Sequence, residues 1–425
     1  MIGIQQKTRK TSFRNDDGTG GNMKVLIVGS GGQGAACAAI MSKFAQIDAI
    51  KLTDLDENIP KKIAGHIASP KITAGALNAM DPDAVAKAAE GYDVIIDLVL
   101  PWMASYVMQG ALKAKVNYVN TAFDVPFWDE LREGSELTLD SEFKKEGLTA
   151  LLGCGMAPGF TNVVARYYAN KLDKVTDIKM RIGKKTLKGD NAWYMDVMQP
   201  WNPGWSPKQA LVDCATPTYA IENGRFVEYA PFTGLEECDF PTPIGRIPVT
   251  HHSHEEIYSM PKTFPGLLNC DFKYYLAVAP AVFYMHGLLD ETEVEVGGVK
   301  VKPIDVVVSK IATPGDNFMA QTAEKLEIAD KTAFVEMIVE VAGEKNGKRV
   351  TYKANLPKMN APGPKLLKLF GTAMVNVALP AVAGAVLISE KPMPGIVFAD
   401  ELDADRFLEV MNQTGYDYKW TETVI

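Results

Sequence analysis

The sequence predicts an α/β protein in two parts: a parallel, doubly wound sheet first, then a second α+β domain built on a mostly antiparallel sheet. Three observations carry this. A short apolar strand, a glycine turn and a helix follow one another in KVLIVGSGGQGAACAAIMSKFA, from Lys24 onward. Apolar strand patterns and helical patterns then alternate as far as Gly155, the rhythm of parallel strands joined by crossover helices. From about residue 175 apolar residues fall on alternate positions in longer runs, and Asn346-Gly347 separates two of them. That dipeptide tolerates the positive φ of a type I′ hairpin turn.

Taken in order, Lys24 to Val28 forms the first strand. Gly29 allows a tight turn, Gly31 lets backbone approach a pyrophosphate, and Gly34 lets the next helix sit close to the sheet. Gly32 and Gln33 lie at the same helix start, whose free N–H groups suit phosphate. The strand Ala49 to Asp54 ends on a carboxylate placed to accept both hydroxyls of an adenosine ribose. Asp54 is followed by Leu55 and Asp56 and not by arginine, so a 2′-phosphate would meet carboxylates and NAD is favoured over NADP. Lys61 and Lys62 are the nearby cations that could soften this. AVAKAAEG then reads as helix, DVIIDLVLP as a buried strand, ASYVMQGALKA as helix and NYVNTAFD as strand. A single charged helix from Asp129 to Glu146 and a sixth strand from Leu148 to Gly155 complete the sheet. Leu100, Pro101 and Trp102 end the fourth strand and Thr121 follows the fifth, where the strand order reverses and the nicotinamide end of a dinucleotide would lie.

At 425 residues, 47% hydrophobic and 23% charged, the chain is long enough for two cores and ordinary for a globular protein. A net charge of −8 without a long basic block argues against nucleic-acid binding and for a small-molecule partner. Five cysteines without CxxC spacing suggest free thiols in a reducing cytoplasm. Residues 1–22 read as a polar, disordered tail and not as a secretory signal. VNVALPAVAGAVLI contains Pro380 and is shorter than the roughly 20 apolar residues of a membrane span, so it is expected as a buried helix. Residues 23–155 form the expected nucleotide-binding domain and 156–385 the second. In the latter, IKMRIGKK, VEVGGVKVKP and EMIVEVAGEKNGKRVTYKANL are the strands, and Met198 to Leu268 is a long Pro-, Gly- and Trp-rich region with few periodic segments. DADRFLEVMNQTG is a closing amphipathic helix capped by Asp403, with Phe407, Leu408 and Met411 on one face and Gly415 as its stop.

The motifs VLIVGSGGQG, DLVLPWM, NYVNTAFD, GCGMAPGFTN, NPGWSPKQALV, TAMVNVALPAVA and PGIVFADELDADRFLEVM, in this order, resemble the saccharopine dehydrogenase-like superfamily, which also contains lysine 6-dehydrogenases and carboxynorspermidine synthases. The resemblance runs nearly end to end. It implies a Rossmann domain, a second domain similar to that of dihydrodipicolinate reductase, a segment from 386 to 425 returning to the first domain, and a homodimer through the second sheet. It also implies an NAD(P)-dependent dehydrogenase acting on the CH–NH bond of an amino acid, with hydride transfer and imine formation or hydrolysis. Saccharopine-type amines and the ε-amine of lysine are the leading substrates. Reductive coupling of an aldehyde to a diamine is the alternative among enzymes, and a non-catalytic dinucleotide-binding or sensor protein the alternative outside them. Ala157, Pro158 and Gly159 stand where saccharopine enzymes commonly carry Asp-Pro-Gly, which resembles the lysine 6-dehydrogenase side more, and Asn120 stands where Asp is frequent.

On that resemblance the GMAPGFTN turn, at the carboxyl end of a strand, is the expected substrate site, through Met156, Pro158, Gly159, Phe160 and Asn162. Thr161 offers a further donor, and the helix start would favour a substrate carboxylate. Cys154 beside it reads as inert packing. Trp201 and Trp205, two of six tryptophans, lie on one loop as a lid or as anchors. HHSHEE gathers three of the five histidines. On an extended strand His252, His254 and Glu256 share a face and supply the general acid and base that amine oxidation and imine hydrolysis need. Adjacent ligands on one strand rarely surround an ion, so no metal is expected. Arg246, with Arg181 or Lys184, is the expected partner of the substrate carboxylate.

Overall fold

Strand β1 (Met23–Val28) buries Val25, Leu26 and Ile27 completely, and a strand apolar on both faces belongs between two layers of helix. The computed structural model, which describes residues 22–124, 126–187, 201–311, 318–357 and 361–425, places it inside a seven-stranded sheet, third from one edge. The other strands of this sheet are β2 (Ile47–Asp54), β3 (Ile72–Ala76), β4 (Val94–Asp97), β5 (Asn117–Asn120), β6 (Thr149–Leu152) and a late strand, β17 (Gly395–Phe398). The order is β3-β2-β1-β4-β5-β6-β17 with every pair parallel. It reverses between β1 and β4, which opens a crevice at the carboxyl ends of the strands. The expected tail lies in residues outside the described ones, Asn22 excepted.

The second sheet runs β10 (Glu236–Asp239), β11 (Arg246–His251), β12 (Asn269–Tyr275), β7 (Lys174–Thr186), β15 (Ala333–Lys345), β16 (Lys348–Pro357), β18 (Thr421–Val424), with β8 (Thr218–Glu222) and β9 (Arg225–Tyr229) paired beside β12. All its pairings are antiparallel except β12 with β7. Asn346 at φ 52° and Gly347 at φ 71° make the turn between β15 and β16, as their sequence requires. The helix Ala378–Glu390 is buried from Ala378 to Ser389. Pro380 sits in its first turn, where no intrahelical N–H bond is lost.

Four sequence expectations change. The charged segment forms two helices, Phe127–Glu133 and Asp140–Glu146, because Gly134 takes a left-handed conformation at φ 68° and ends the first. VEVGGVKVKP is a separate hairpin of β13 (Val294–Val296) and β14 (Val299–Val301), outside the large sheet. The described part of the region from 198 to 268 is not loop but four short strands and the helices Pro207–Ala215 and Glu256–Thr263. Its strands are too short and too half-exposed for a clear period. Finally, β17 returns to the first sheet, but β18 pairs with β16 in the second, so the segment from 386 to 425 is shared between the two.

The closing helix runs Ala404–Met411, with the Asp403 carboxylate accepting from the Arg406 N–H. It stops before Gly415. None of the described helices is long and apolar enough to cross a membrane. All five cysteines are buried and unpaired.

Candidate active site

At the crest of the first sheet Gly29 adopts φ 98°, and a Cβ there would lie 2.9 Å from the Leu98 carbonyl oxygen. A Cβ on Gly34 would lie 1.9 Å from the Gly29 carbonyl oxygen, so this glycine brings helix Gly32–Met41 against the strand. Gly31 differs: nothing lies within 4 Å of its would-be Cβ. The helix after it has no side-chain cap and no acidic residue in its first turn, leaving its positive end open to phosphate. Gln33 buries Oε1 beside it without a hydrogen-bond partner among the described residues. Leu55 is 75% exposed, Leu100 42% and Trp102 49%; these apolar surfaces flank the crest where a dinucleotide's two rings would be covered. The residues present therefore fit a dinucleotide.

Asp54 is held by two main-chain donors, the N–H of Ser30 to Oδ2 and of Leu55 to Oδ1, each at 2.8 Å. Each oxygen keeps a lone pair for a ribose hydroxyl. Lys61 is engaged by Glu57 at 2.9 Å and is not poised over Asp54. Asp54→Ala is expected to raise the Kd for NAD about tenfold or more, the loss of charge-assisted hydrogen bonds; fluorescence titration checks it, and an unchanged Kd contradicts it. Leu100, Pro101 and Thr121 line one small cavity together with Asp97, Val99 and Asn120.

Beyond β6 the chain makes a closed turn. Gly155 donates to the Pro158 carbonyl at 2.7 Å, and a Cβ on Gly159 would lie 2.2 Å from the Gly155 oxygen. The helix Phe160–Ala169 follows. Its start is not open to an anion: the N–H groups of Gly159, Phe160 and Thr161 go to Asn162 Oδ1, Gly155 O and Met156 O. Asn162 completes its own needs by donating to Asp400 Oδ1 at 3.0 Å and Ser259 Oγ at 3.4 Å, as a buried amide must. Phe160 is fully buried, edge-on to Tyr418. Both residues belong to the core, which corrects their assignment to substrate. Met156 is 5% exposed and Pro158 and Gly159 are buried, so the turn offers little side-chain surface.

Thr161 connects this turn to HHSHEE, donating to Glu256 Oε1 at 2.7 Å. The segment is not an extended strand. β11 stops at His251, and Glu256 opens the helix Glu256–Thr263, where an acidic residue suits the positive end. The turn brings His254 Nδ1 onto Glu256 Oε2 in a very short contact and within 3.4 Å of Glu255. The imidazole stacks on Phe272 with centroids 3.9 Å apart. Asp213, from the helix Pro207–Ala215, is near enough to interact electrostatically with this imidazole and with Asp124. His254, Glu255 and Glu256 bring three potential ligand atoms within 4.8 Å of one another, although two of these carboxylates are already committed to the imidazole.

Burial alone would push the His254 imidazole down, but Glu256, Glu255 and Asp213 outweigh it and raise its pKa to about 9. Burial lifts Glu255 to about 8 and Asp213 to about 7, despite the opposing pull of His254. His252 is a ring neighbour of His254, with centroids 6.3 Å apart, but stacks on Tyr274, and burial together with His254 lowers it to about 3. It stays neutral and is no proton carrier at neutral pH, which corrects its grouping with His254 and Glu256.

These shifts fix how stability varies with pH. The unfolded chain releases its carboxyl protons near 3.8 and 4.5 and its imidazole protons near 6.5, whereas the fold keeps the protons of Asp213, Glu255 and His254 to about 7, 8 and 9. Above about 6.5 the opposing effect of His252 is complete, so the folded state binds the extra protons and stability falls as pH rises. The expected result is a Tm that drops by several degrees between pH about 6.5 and 9, read by thermal unfolding; a flat or rising Tm contradicts it.

The expected carboxylate partners do not converge on this cluster. Arg246 has a side chain 66% exposed, within 3.7 Å of Glu237 and 4.0 Å of Asp239 on the neighbouring strand. Arg181 is buried and locked by Asp271 at 2.7 Å and Glu236 at 3.0 Å. Lys184 donates to the Asn202 carbonyl at 2.5 Å. Trp201 packs near Leu211 and Ile304, while Trp205 is 41% exposed. Sequence reasoning missed Asp213 and Glu255. An aspartate inside the apolar run LVDCA was the available signal for the first.

Two family models match the chain: a saccharopine dehydrogenase NADP binding domain over residues 25–151 and a saccharopine dehydrogenase C-terminal domain over residues 155–416. Carboxyaminopropylagmatine dehydrogenase of Synechocystis sp. is 25% identical, covering 94% of this chain and 98% of that protein. Carboxynorspermidine synthase of Vibrio cholerae is 21% identical over 92% of this chain and 95% of its own. Among solved structures, apo saccharopine dehydrogenase from Saccharomyces cerevisiae aligns with TM-score 0.67 at 14% identity, covering 95% of this chain and 100% of that one. Homospermidine synthase from Legionella pneumophila in complex with NAD gives 0.64 at 14%, covering 95% and 91%. At that identity the two structures bear on the fold alone.

Proposed function

The chain belongs to the saccharopine dehydrogenase family, whose members are NAD(P)-dependent dehydrogenases, and on that footing we propose that it prefers NAD and works on the CH–NH bond of an amino-acid-derived amine carrying further ammonium groups. The favoured direction is reductive coupling of an aldehyde to a diamine. One observation carries the choice of substrate: Glu256 and Glu255 contact His254 and Asp213 acts on it electrostatically, while Arg181 and Arg246 are paired elsewhere. Such a site attracts ammonium groups more readily than a dicarboxylate such as saccharopine. The names of the curated relatives, each a carboxylated polyamine enzyme, point the same way.

In the coupling direction the amine nitrogen attacks the aldehyde carbon and water leaves, giving an imine. The imine then gains a hydride at carbon and a proton at nitrogen. A dinucleotide held at the glycine turn would be the hydride source, becoming oxidised as the imine is reduced. His254, protonated and held through Nδ1 by Glu256, is the proton donor, and Thr161 fixes Glu256 for that task. Asp213, with its pKa lifted to about 7, takes the proton that the amine must lose before it attacks. The residues proposed to hold the cofactor are Gly29, Gly31, Gly32, Gln33, Gly34, Asp54, Leu100, Pro101 and Thr121.

Nicotinamide absorbance tests the proposal. Purified protein with NADH, a carboxylated aldehyde and a short alkyl diamine is expected to consume the cofactor, whereas NAD with saccharopine or lysine gives little. Turnover of saccharopine with no response to diamines would overturn it.

A further inference from the structure

Below the crest lies a polar chain that the chemistry above does not use. Asp97 ends β4, and Asn120, its partner in register, ends β5, with Tyr118 two residues earlier on the same strand. Tyr118 donates its hydroxyl to Asp97 Oδ2 at 2.6 Å, and Asn120 Nδ2 donates to the Tyr118 oxygen at 3.2 Å. Each end grips main chain. Asp97 Oδ1 accepts from the Val99 N–H at 3.1 Å, and Asn120 Oδ1 accepts from the Gly153 N–H at 2.8 Å. Asp97 is 3% exposed, Tyr118 0% and Asn120 2%.

Three buried polar side chains between two apolar layers are costly unless fully paired, and apolar residues would fill the same volume without that demand. What the polar chain adds is a set distance. It ties the strip Val99–Pro101, which lines the crest cavity with Asp97, Asn120 and Thr121, to Gly153, the entrance to the Met156–Phe160 turn. The direction of its hydrogen bonds fixes the residue types: Tyr118 gives its only proton to Asp97, so position 120 must offer a donor to the tyrosine oxygen and an acceptor to Gly153. An amide does both, and a carboxylate does only the second.

We infer that Asp97, Tyr118 and Asn120 are positioning residues, which hold the nicotinamide end of the cofactor site and the substrate turn at the separation that hydride transfer needs. The inference rests on reading the crest between β4 and β5 as the nicotinamide end. A displacement of about 1 Å between reacting groups lowers a rate roughly a hundredfold, and loss of one rung frees both strips to shift.

The test is Tyr118→Phe, which removes both hydrogen bonds of the tyrosine and keeps its ring. The expected result is a folded protein whose kcat falls about a hundredfold with KM for the amine little changed, and whose Kd for NADH, measured by fluorescence, rises about threefold to tenfold. Should that variant fail to fold, Asn120→Asp reads the same quantities, because it keeps the shape and the bond to Gly153 but cannot donate to Tyr118. Asn120→Gln restores neither geometry nor rate. A folded variant with a lowered Tm but unaltered kcat and NADH affinity would show a merely structural role and overturn the inference. The NADH titration needs no substrate, so a wrong substrate class leaves that arm readable and fails only the proposed function.

Discussion

His254→Gln lowers kcat by about a thousandfold, within the range for loss of a general acid–base group, while the Kd for NAD stays at its wild-type value. The choice of glutamine matters. Glu256 is wholly buried with its carboxylate shared between His254 and Thr161. An apolar replacement would strand that charge, and breaking a buried pair in this way typically costs about 3–5 kcal/mol. Glutamine can still donate to Glu256, yet it cannot exchange a proton. The wild-type rate in the coupling direction falls as pH rises through the imidazole pKa of about 9, because the proton donor is lost; in the glutamine variant that alkaline limb disappears. Rapid kinetics with NADH, the aldehyde and the diamine check both points, and an unchanged kcat would remove His254 from the chemistry.

Gly34→Ala and Gly31→Ala have opposite consequences although they stand three residues apart in one turn. At Gly34 the added carbon would lie 1.9 Å from the Gly29 carbonyl oxygen, a clash with main chain that only a shift of the whole helix Gly32–Met41 relieves. That helix is buried from Gly34 to Met41, so the shift disrupts a packed core. The expected loss is at least the ~1–3 kcal/mol of overpacking, and thermal unfolding shows a Tm lowered by many degrees or a protein recovered only as aggregate. At Gly31 the backbone is extended, at φ −64° and ψ −172°, and a Cβ meets nothing within 4 Å. Gly31→Ala keeps the wild-type Tm but stands in the space open to the pyrophosphate, and its Kd for NAD rises tenfold or more, about 1.4 kcal/mol. Equal effects of the two substitutions on Tm would contradict this division of labour.

How far the sequence discloses such details depends on how local their cause is. β1, β4 and β6 are legible because strands covered on both faces are continuous apolar runs, and the glycine turn because its geometry is set within six residues. The hairpin at Asn346-Gly347 and the helix Ala378–Glu390 are local in the same sense. HHSHEE was legible in composition but not in shape. Strand spacing pairs His252 with His254 and Glu256; the observed turn places His254 on Glu256 and leaves His252 neutral against Tyr274. Asn162 and Phe160 sit in a motif that looks exposed, yet the burial of both depends on Asp400, Ser259 and Tyr418, which lie far along the chain. Asp213 joins His254 only through the packing of its helix, a tertiary fact with no local pattern beyond one acid in an apolar run. Arg246 illustrates the converse: a cation close in sequence to the histidines faces Glu237 and Asp239 across β10 and β11 instead.

The claim that the site recognises an amine through its carboxylates, and not an acid through an arginine clamp, is open to a binding measurement that requires no turnover. Calorimetric titration of the NADH-loaded protein with a short alkyl diamine, and separately with a dicarboxylate of equal length, is the most direct. The account predicts measurable diamine binding that His254→Gln preserves and that Asp213→Asn with Glu255→Gln weakens about tenfold or more, with no heat from the dicarboxylate. Dicarboxylate binding in the absence of any diamine binding would contradict it.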